Sequence, residues 1–352
     1  MFTRWRIFAA LVEILVAICL LPVGAHAQTD NPDGYRLSGP VSHGNLAIYF
    51  VHGASRSGPV PLTLQEAMEK KVVEVREIGR VNEVLLENVG NEEVFIQAGD
   101  IVKGGQQDRV LSVSLMLAPR SGAVSVASYC VESGRWSARG AEDARMFSSS
   151  SAILPSRRAK LEMAAAAAGQ ANAGGAASRQ QEVWQSVAQI QGKLSSTLGS
   201  SVAAPRSQTS LQLSLENGRL EREQAQYLAA LKPQGENEGD IVGYVFAVNG
   251  KVSSADIYPS NGLFRKMWHE LLRASITEAI SERDAGSEPA PAPPAAVADE
   301  FISRAAGAQS TETRAGGRTR IEVNDSAKVI SLESRPAAAP AAAWVHRTYI
   351  AK

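Results

Sequence analysis

The hydrophobic and polar positions along the chain change period several times, and each change marks an element. An apolar run from Leu46 to Val51 ends at His52-Gly53, which predicts a short buried strand. Thr63 with Glu66 three residues on is a capping box ahead of a short helix carrying Ala67 and Met68. Alternation over Val72 to Ile78 and Asn82 to Asn88 predicts two strands. The densest stretch runs from Phe95 to Trp136: a strand over Phe95 to Ile101, a tight connection over Lys103 to Asp108, and strands over Arg109 to Ala118 and Ala123 to Val131. Connections this short cannot make parallel crossovers, so the pairing is expected to be antiparallel.

After Trp136 the period turns helical. Helices are predicted over Arg157 to Ala168, Arg179 to about Leu198 (Val183, Val187, Ile190 and Leu194 on one face, Trp184 beside them) and Ser214 to Leu231. Gly169 to Ser178 reads as a loose Ala/Gly segment. Ile241 to Val248 and Lys251 to Ile257 flank Asn249-Gly250, the signature of a type I′ hairpin. A helix follows over Leu263 to Ile280, then an Ala/Pro/Glu segment over Ser287 to Pro294 that reads as an extended, mobile linker. Strands over Thr319 to Val323 and Val329 to Glu333 flank a hairpin at Asn324-Asp325, and Trp344 to Ile350 is the last strand.

The fold class is therefore α+β, an antiparallel sheet core with helices inserted between its N- and C-terminal strands. The organisation expected is a leader over 1–27, a main domain over 35–283, an Ala/Pro-rich linker over 284–318, and strands over 319–352 that return to the main domain, since three short strands bury too little to stand alone.

Composition adds a compartment. Arg4 and Arg6 precede an apolar run from Ile7 to Leu21, broken only by Glu13, and Ala25-His26-Ala27 supplies a small-x-small cleavage site, so an exported, extracytoplasmic product starting at Gln28 is expected. Cys130 is then the only cysteine left, and no internal disulfide can form. The 36 basic and 36 acidic residues balance, which argues against nucleic acid as a partner, and no membrane association is expected after cleavage. A protein partner stays open.

Gly104 and Gly105 can take positive φ and bring N–H groups close to a ligand, while Gln107 and Arg109 can donate to carboxylate or phosphate oxygens. No Gly-Lys-Ser/Thr follows, so this is not a P-loop. The same residues fit a plain hairpin turn in which Arg109 pairs with a carboxylate such as Glu132. Glu132 and Arg135 read as a site pair or as a structural ion pair. Trp136 and Trp184 offer faces to a planar ligand, or fill the core. Asp256 fits a general base, a metal ligand or a ribose-hydroxyl acceptor, and equally a cap on the turn into the next helix. With Glu132 it is the candidate catalytic carboxylate. Cys130, flanked by apolar residues, reads as an inert thiol. The histidines show no metal-ligand spacing, so no metal site is expected, and whether a cofactor is used stays open.

Gly104-Gly105 with Gln107 and Arg109, the segment Cys130 to Trp136, Gln180-x-x-Val183-Trp184, and Gly243 with Asn249-Gly250 and Asp256 occur in an order and spacing that resembles the family associated with ADP-ribosylglycohydrolase and rhodanese-phosphatase proteins, the ARPP family. The resemblance covers roughly Leu46 to Ile280 and the terminal strand at Val345-His346. Asp108 departs from it, standing where that family usually has Asn. The resemblance implies an association with ADP-ribose and phosphate metabolism. Together with the turn chemistry it leads to the expectation of an exported domain that binds, and in one version hydrolyses, an anionic small molecule of nucleotide or ADP-ribose type. The alternative is a non-catalytic envelope module binding a protein or glycan.

Overall fold

The computed structural model describes residues 34–169, 175–283, 286, 288–303, 309–338, 340 and 343–352; the leader expected over 1–27 lies outside them. Strands β1 (Arg36–His43) and β2 (Leu46–His52) form a hairpin, and β3 (Leu62–Thr63) runs into α1 (Leu64–Glu69). The capping box closes as expected, with the Glu66 N–H donating to Thr63 Oγ1 at 3.2 Å and the Thr63 N–H donating to Glu66 Oε2 at 2.9 Å. Next come β4 (Val73–Arg76), β5 (Glu83–Asn88), β6 (Val94–Ile96), β7 (Ile101–Gly104), β8 (Arg109–Leu111), β9 (Leu115–Leu117), β10 (Gly122–Cys130) and β11 (Phe147–Ser148). The inserted helices are α2 (Arg157–Ala167), α3 (Gly175–Leu198), α4 (Leu211–Leu215) and α5 (Gly218–Leu231), the last ending in a 3₁₀ turn. The chain then makes β12 (Ile241–Val248), β13 (Lys251–Ile257), α6 (Asn261–Ser281), α7 (Ala295–Ser303), β14 (Gln309–Ala315), β15 (Thr319–Asp325), β16 (Val329–Pro336) and β17 (His346–Ala351).

The fold is α+β. Its largest sheet has eight strands in the order β1-β2-β12-β13-β17-β16-β15-β14, and the N-terminal and C-terminal strands meet across β12 and β13. Both faces of this sheet are covered, which explains why β2 and β12 read as continuous apolar runs rather than alternating ones. On one face Ile48, Phe50, Tyr244 and Phe246 pack with Phe264, Trp268 and Leu272 of α6. On the other, Tyr49, Val51, Val245 and Ile257 meet Ala298, Phe301 and Ile302 of α7. Gly243 sits where β12 and β13 run closest, and a Cβ there would lie 2.5 Å from the Asp256 carbonyl. Only glycine fits. A six-stranded sheet, β11-β7-β8-β10-β5-β4, and a three-stranded one, β3-β6-β9, enclose a second core with α1 and the β15–β16 hairpin.

Every strand pair is antiparallel apart from the two residues shared by β3 and β6. The turn between β12 and β13 is the expected one, with positive φ at Asn249 (49°) and Gly250 (74°).

Several boundaries differ from the sequence pattern, each for a local reason. The single strand expected over Phe95 to Ile101 is two, β6 and β7, because the Asp100 carboxylate accepts the Gln97 N–H at 2.8 Å and turns the chain. Arg109 to Ala118 likewise splits: β8 pairs with β7 and β10, then β9 joins β6 in another sheet. Asn217 caps α5 and separates it from α4, dividing the helix expected over Ser214 to Leu231. The hairpin placed at Asn324-Asp325 turns instead over 326–328. Within the stretch expected as linker the structure forms α7 and β14, and Tyr49 Oη donates to the Pro293 carbonyl, seating 288–294 on the sheet. Of the Gly169 to Ser178 segment, 170–174 lie outside the described residues and α3 begins at Gly175. β1 was missed because its exposed edge carries no apolar alternation.

Candidate functional site

The Gly104-Gly105 turn at the end of β7 has the backbone its sequence predicts, with φ of 112° and 54°. The ring of Phe147 lies where a Cβ on Gly105 would go, at 2.6 Å. The anion this turn holds is the chain's own Asp108. Fully buried, Asp108 accepts the Gly104 N–H at 2.9 Å, both guanidinium arms of Arg139 at 3.0 and 3.1 Å, and the Ser210 hydroxyl at 2.7 Å. Glu132, also fully buried at the exit of β10, pairs with Arg135 at 2.6 Å and Arg139 at 3.2 Å and accepts the Asp108 N–H at 3.2 Å. Burial alone would raise the Glu132 pKa, but hydrogen bonds from Arg135 and Ser207 and the Arg135 charge outweigh it and hold the carboxyl below its ordinary value. Arg135 also donates to the carbonyls of Gly104 and Gly105 at 3.2 and 3.0 Å. Turn, β10 exit and α4 are thus joined by one closed ion network.

Arg109 is not part of it. Its side chain is fully buried and pairs with Glu77 at 2.8 Å rather than with Glu132, while its other arm donates to the Val81 carbonyl and, at 2.7 Å, to the Cys130 sulfur. Trp136 lies 49% exposed with its ring centroid 5.7 Å from this guanidinium, so it is not a core residue. Trp184 is half-buried on α3, and Gln107 is buried in the turn. Gln180 explains its own place in the motif: its amide pairs with both backbone groups of Cys130, at 2.9 and 2.8 Å, extending β10 like a further strand. Burial pushes the Cys130 thiol up to about 11, in keeping with an inert cysteine.

The chain contains a match to the ARG and Rhodanese-Phosphatase-superfamily-associated Protein domain, ARPP-1, over residues 34–350. It belongs to this family. No curated protein and no solved structure matches the chain. The ARPP-1 domain is associated with ADP-ribosylglycohydrolase and rhodanese-phosphatase systems.

Asp256 lies elsewhere in the ARPP-1 domain, on β13. Its carboxylate is 3.2 Å from His346 Nε2 of β17, and His346 Nδ1 is 2.9 Å from the Ser114 hydroxyl, which also accepts the Ala98 N–H. Burial raises the Asp256 pKa, and the imidazole beside it more than offsets this, leaving the carboxyl below its ordinary value. The helix cap considered for Asp256 is supplied by Ser260. All three members of this line are buried, so its serine is no open nucleophile. Sequence reading missed Ser114 and His346 because 232 positions separate them and no spacing rule spans that distance.

His52 Nδ1 lies 2.9 Å from Asp240 and 3.7 Å from Glu238, which groups three residues of metal-ligand type; Arg36 pairs with Asp240 at 3.5 Å and Ser38 holds His52 Nε2 at 2.7 Å. Among the described residues, no helix is long and apolar enough to cross a membrane.

Two cavities carry further chemistry. One, of about 20 Å³, has room for about one water molecule and is lined by Asp100 and Glu270 with Thr63, Gln65 and Ser150. Burial lifts both carboxyls to about 7, and the Glu270 charge adds to the rise at Asp100. The other is a cleft of about 630 Å³ between the start of α2, α3, the β12–β13 turn and the end of α6. Arg157, Arg158, Lys193 and Lys251 line it.

Removing Arg109 should be costly. Arg109→Ala strands Glu77, itself only 2% exposed, and the expected loss is about 3–5 kcal/mol in urea denaturation. A loss below about 1 kcal/mol would show that the pair is not buried in solution.

The Asp100–Glu270 pair sets a pH dependence. Both folded carboxyls bind protons more tightly than at their ordinary values of 3.8 and 4.5, so their contribution to stability is full at low pH and lost as pH rises through about 7. Denaturation midpoints at about pH 5 and about pH 8 should therefore fall more in the wild type than in Asp100→Asn/Glu270→Gln. Equal falls would rule the pair out as the cause.

Proposed function

We propose that this ARPP-1 protein is exported and binds an anionic small molecule of nucleotide or ADP-ribose type, in the cleft beside the start of α2. One observation carries the reading: four cationic side chains converge on a cleft of about 630 Å³, within the range of about 300–1,000 Å³ usual for small-molecule sites. Two of them are already engaged, Arg158 with Glu182 at 2.9 Å and Lys193 with Glu282 at 2.6 Å. Arg157 and Lys251 are exposed and make no ion pair among the described residues. The Ser156 hydroxyl caps the Ala159 N–H at the start of α2, and the positive end of the helix favours an anion at the same place. The family's association with ADP-ribosylglycohydrolase systems supports the ligand class. The Gly104 to Arg109 turn is a poorer host, since its donors are already taken within the chain: Gly104 N–H by Asp108, Asp108 N–H by Glu132, Gly105 N–H by the Met146 carbonyl and Arg109 by Glu77.

A second reading, a non-catalytic envelope module that binds a protein or glycan, draws on Trp136 and Val81, 49% and 42% exposed and both in contact with Arg109. A glycan would stack on the Trp136 ring, so Trp136→Ala would abolish capture of that partner and leave the α2 cleft unaffected.

Calorimetry on residues 28–352 with ADP-ribose and AMP tests the first reading. Binding should weaken with added salt, and Arg157→Ala/Lys251→Ala should lower affinity about tenfold or more while leaving the denaturation midpoint unchanged. Failure of both ligands to bind, or equal affinity in the variant, would overturn it. Export is tested separately: from a secreting host the N-terminal residue should be Gln28, and recovery of chains that retain Met1 would remove that part of the proposal.

A further inference from the structure

Below the cationic rim of the α2 cleft, two buried side chains each keep one polar atom without a hydrogen-bond partner among the described residues. Ser186 of α3 is 1% exposed and its hydroxyl meets no acceptor or donor among the described residues. Glu278, in the last turn of α6, is 7% exposed; its Oε1 accepts the Ser253 hydroxyl, and its Oε2 has no hydrogen-bond partner among the described residues. Both side chains line the cleft. A buried polar atom without a partner costs stability, and the cost recurs here on two elements facing one space.

We propose that this floor reads hydroxyl groups and that the ligand class is a phosphorylated sugar, its phosphate at Arg157 and Lys251 and its hydroxyls on Ser186 Oγ and Glu278 Oε2. The proposal rests on the anion-binding reading of the same cleft. The chemistry separates the two ends. Mobile guanidinium and ammonium groups at a solvent-facing rim suit a phosphate, which keeps part of its hydration. A hydroxyl and a carboxyl at a closed floor suit a group that both donates and accepts, as a sugar hydroxyl does. Burial raises the Glu278 pKa above its ordinary value, against the opposing charges of Lys160 and Arg157 and the Ser253 hydrogen bond. The cleft is also far larger than a phosphate ion needs, leaving room for the sugar between rim and floor.

The test is calorimetric titration of residues 28–352 with ribose 5-phosphate, inorganic phosphate and phosphoethanolamine. Ribose 5-phosphate should bind about tenfold or more tightly than inorganic phosphate, the gain expected from about one to two satisfied hydrogen bonds. Ser186→Ala should erase most of that advantage and leave phosphate binding unchanged. Because this hydroxyl has no partner among the described residues, the variant should fold as the wild type does. Glu278→Met should do the same, and since it also frees Ser253, its denaturation midpoint is measured alongside. Equal affinity for the sugar phosphate and for phosphate would overturn the floor while the anion reading stands. A preference for phosphoethanolamine would make the floor an ammonium site and overturn it too. Binding of none of the three would overturn both readings.

Discussion

The bidentate pair between Arg139 and Asp108 is the contact on which the N-terminal half depends. A buried carboxylate pays several kcal/mol in lost hydration, and geometry has to return it. Here it does: Asp108 accepts hydrogen bonds from the Gly104 N–H, two Arg139 nitrogens and Ser210, and Glu132 shares the second charge of the cage with Arg135. Each partner sits on a different element, so the pairing fixes the β7–β8 turn, the exit of β10 and the start of α4 at once. Aspartate rather than asparagine at 108 follows from this. An amide would present N–H donors to a guanidinium that has nothing to accept them.

The line from Asp256 through His346 to Ser114 plays the corresponding part between the two large sheets. β17 reaches β13 only after α6, α7 and the β14–β16 strands, and its first residue, His346, bonds sideways to the loop between β8 and β9. Phe95 and Tyr258 pack against the imidazole, with ring centroids 5.8 and 5.0 Å away. The C-terminal strand is therefore held by backbone pairing along its length and by a buried polar contact at its start, which couples the eight-stranded sheet to the core beneath the other two.

What was legible in the sequence was local. The Thr63-Glu66 box, the Asn249-Gly250 turn and the apolar face of α6 each depend on neighbours within a few positions, and each forms. The Gly104-Gly105 turn was also legible, but the cage that buries Asp108 against it was not, because Arg139 lies 31 residues from Asp108 and no period connects them. Composition misled over α7. Ala298, Phe301 and Ile302 are spaced as one helical face, yet the Ala and Pro around them read as linker. The break inside Arg109 to Ala118 was hidden because Val110, Leu111, Val113 and Leu115 are all buried, although they serve two sheets. Arg109 itself could be read as a buried or an exposed cation until Glu77, on a preceding loop, was seen to neutralise it.

Satisfaction of buried polar atoms separates structure from function in this molecule better than residue type does. The cage around Asp108 has the composition of an anion site, with a glycine N–H and two arginines, but its acidic side chains take those donors and leave a ligand little to bind. The α2 cleft is less conspicuous in sequence, drawing Arg157, Ser186, Lys251 and Glu278 from four elements. Its cations make no ion pair or pair with half-buried or exposed carboxylates, and among the described residues its floor keeps a hydroxyl and a carboxyl oxygen without a hydrogen bond. Exposed ion pairs contribute about 0–1 kcal/mol, so Arg158 and Lys193 can exchange their partners for a ligand at small cost. Arg139 cannot, because stripping the buried Asp108 of its bidentate partner would cost about 3–5 kcal/mol. Polar chemistry that is available at little cost lies in the cleft, and a ligand that gains from it meets the chain there.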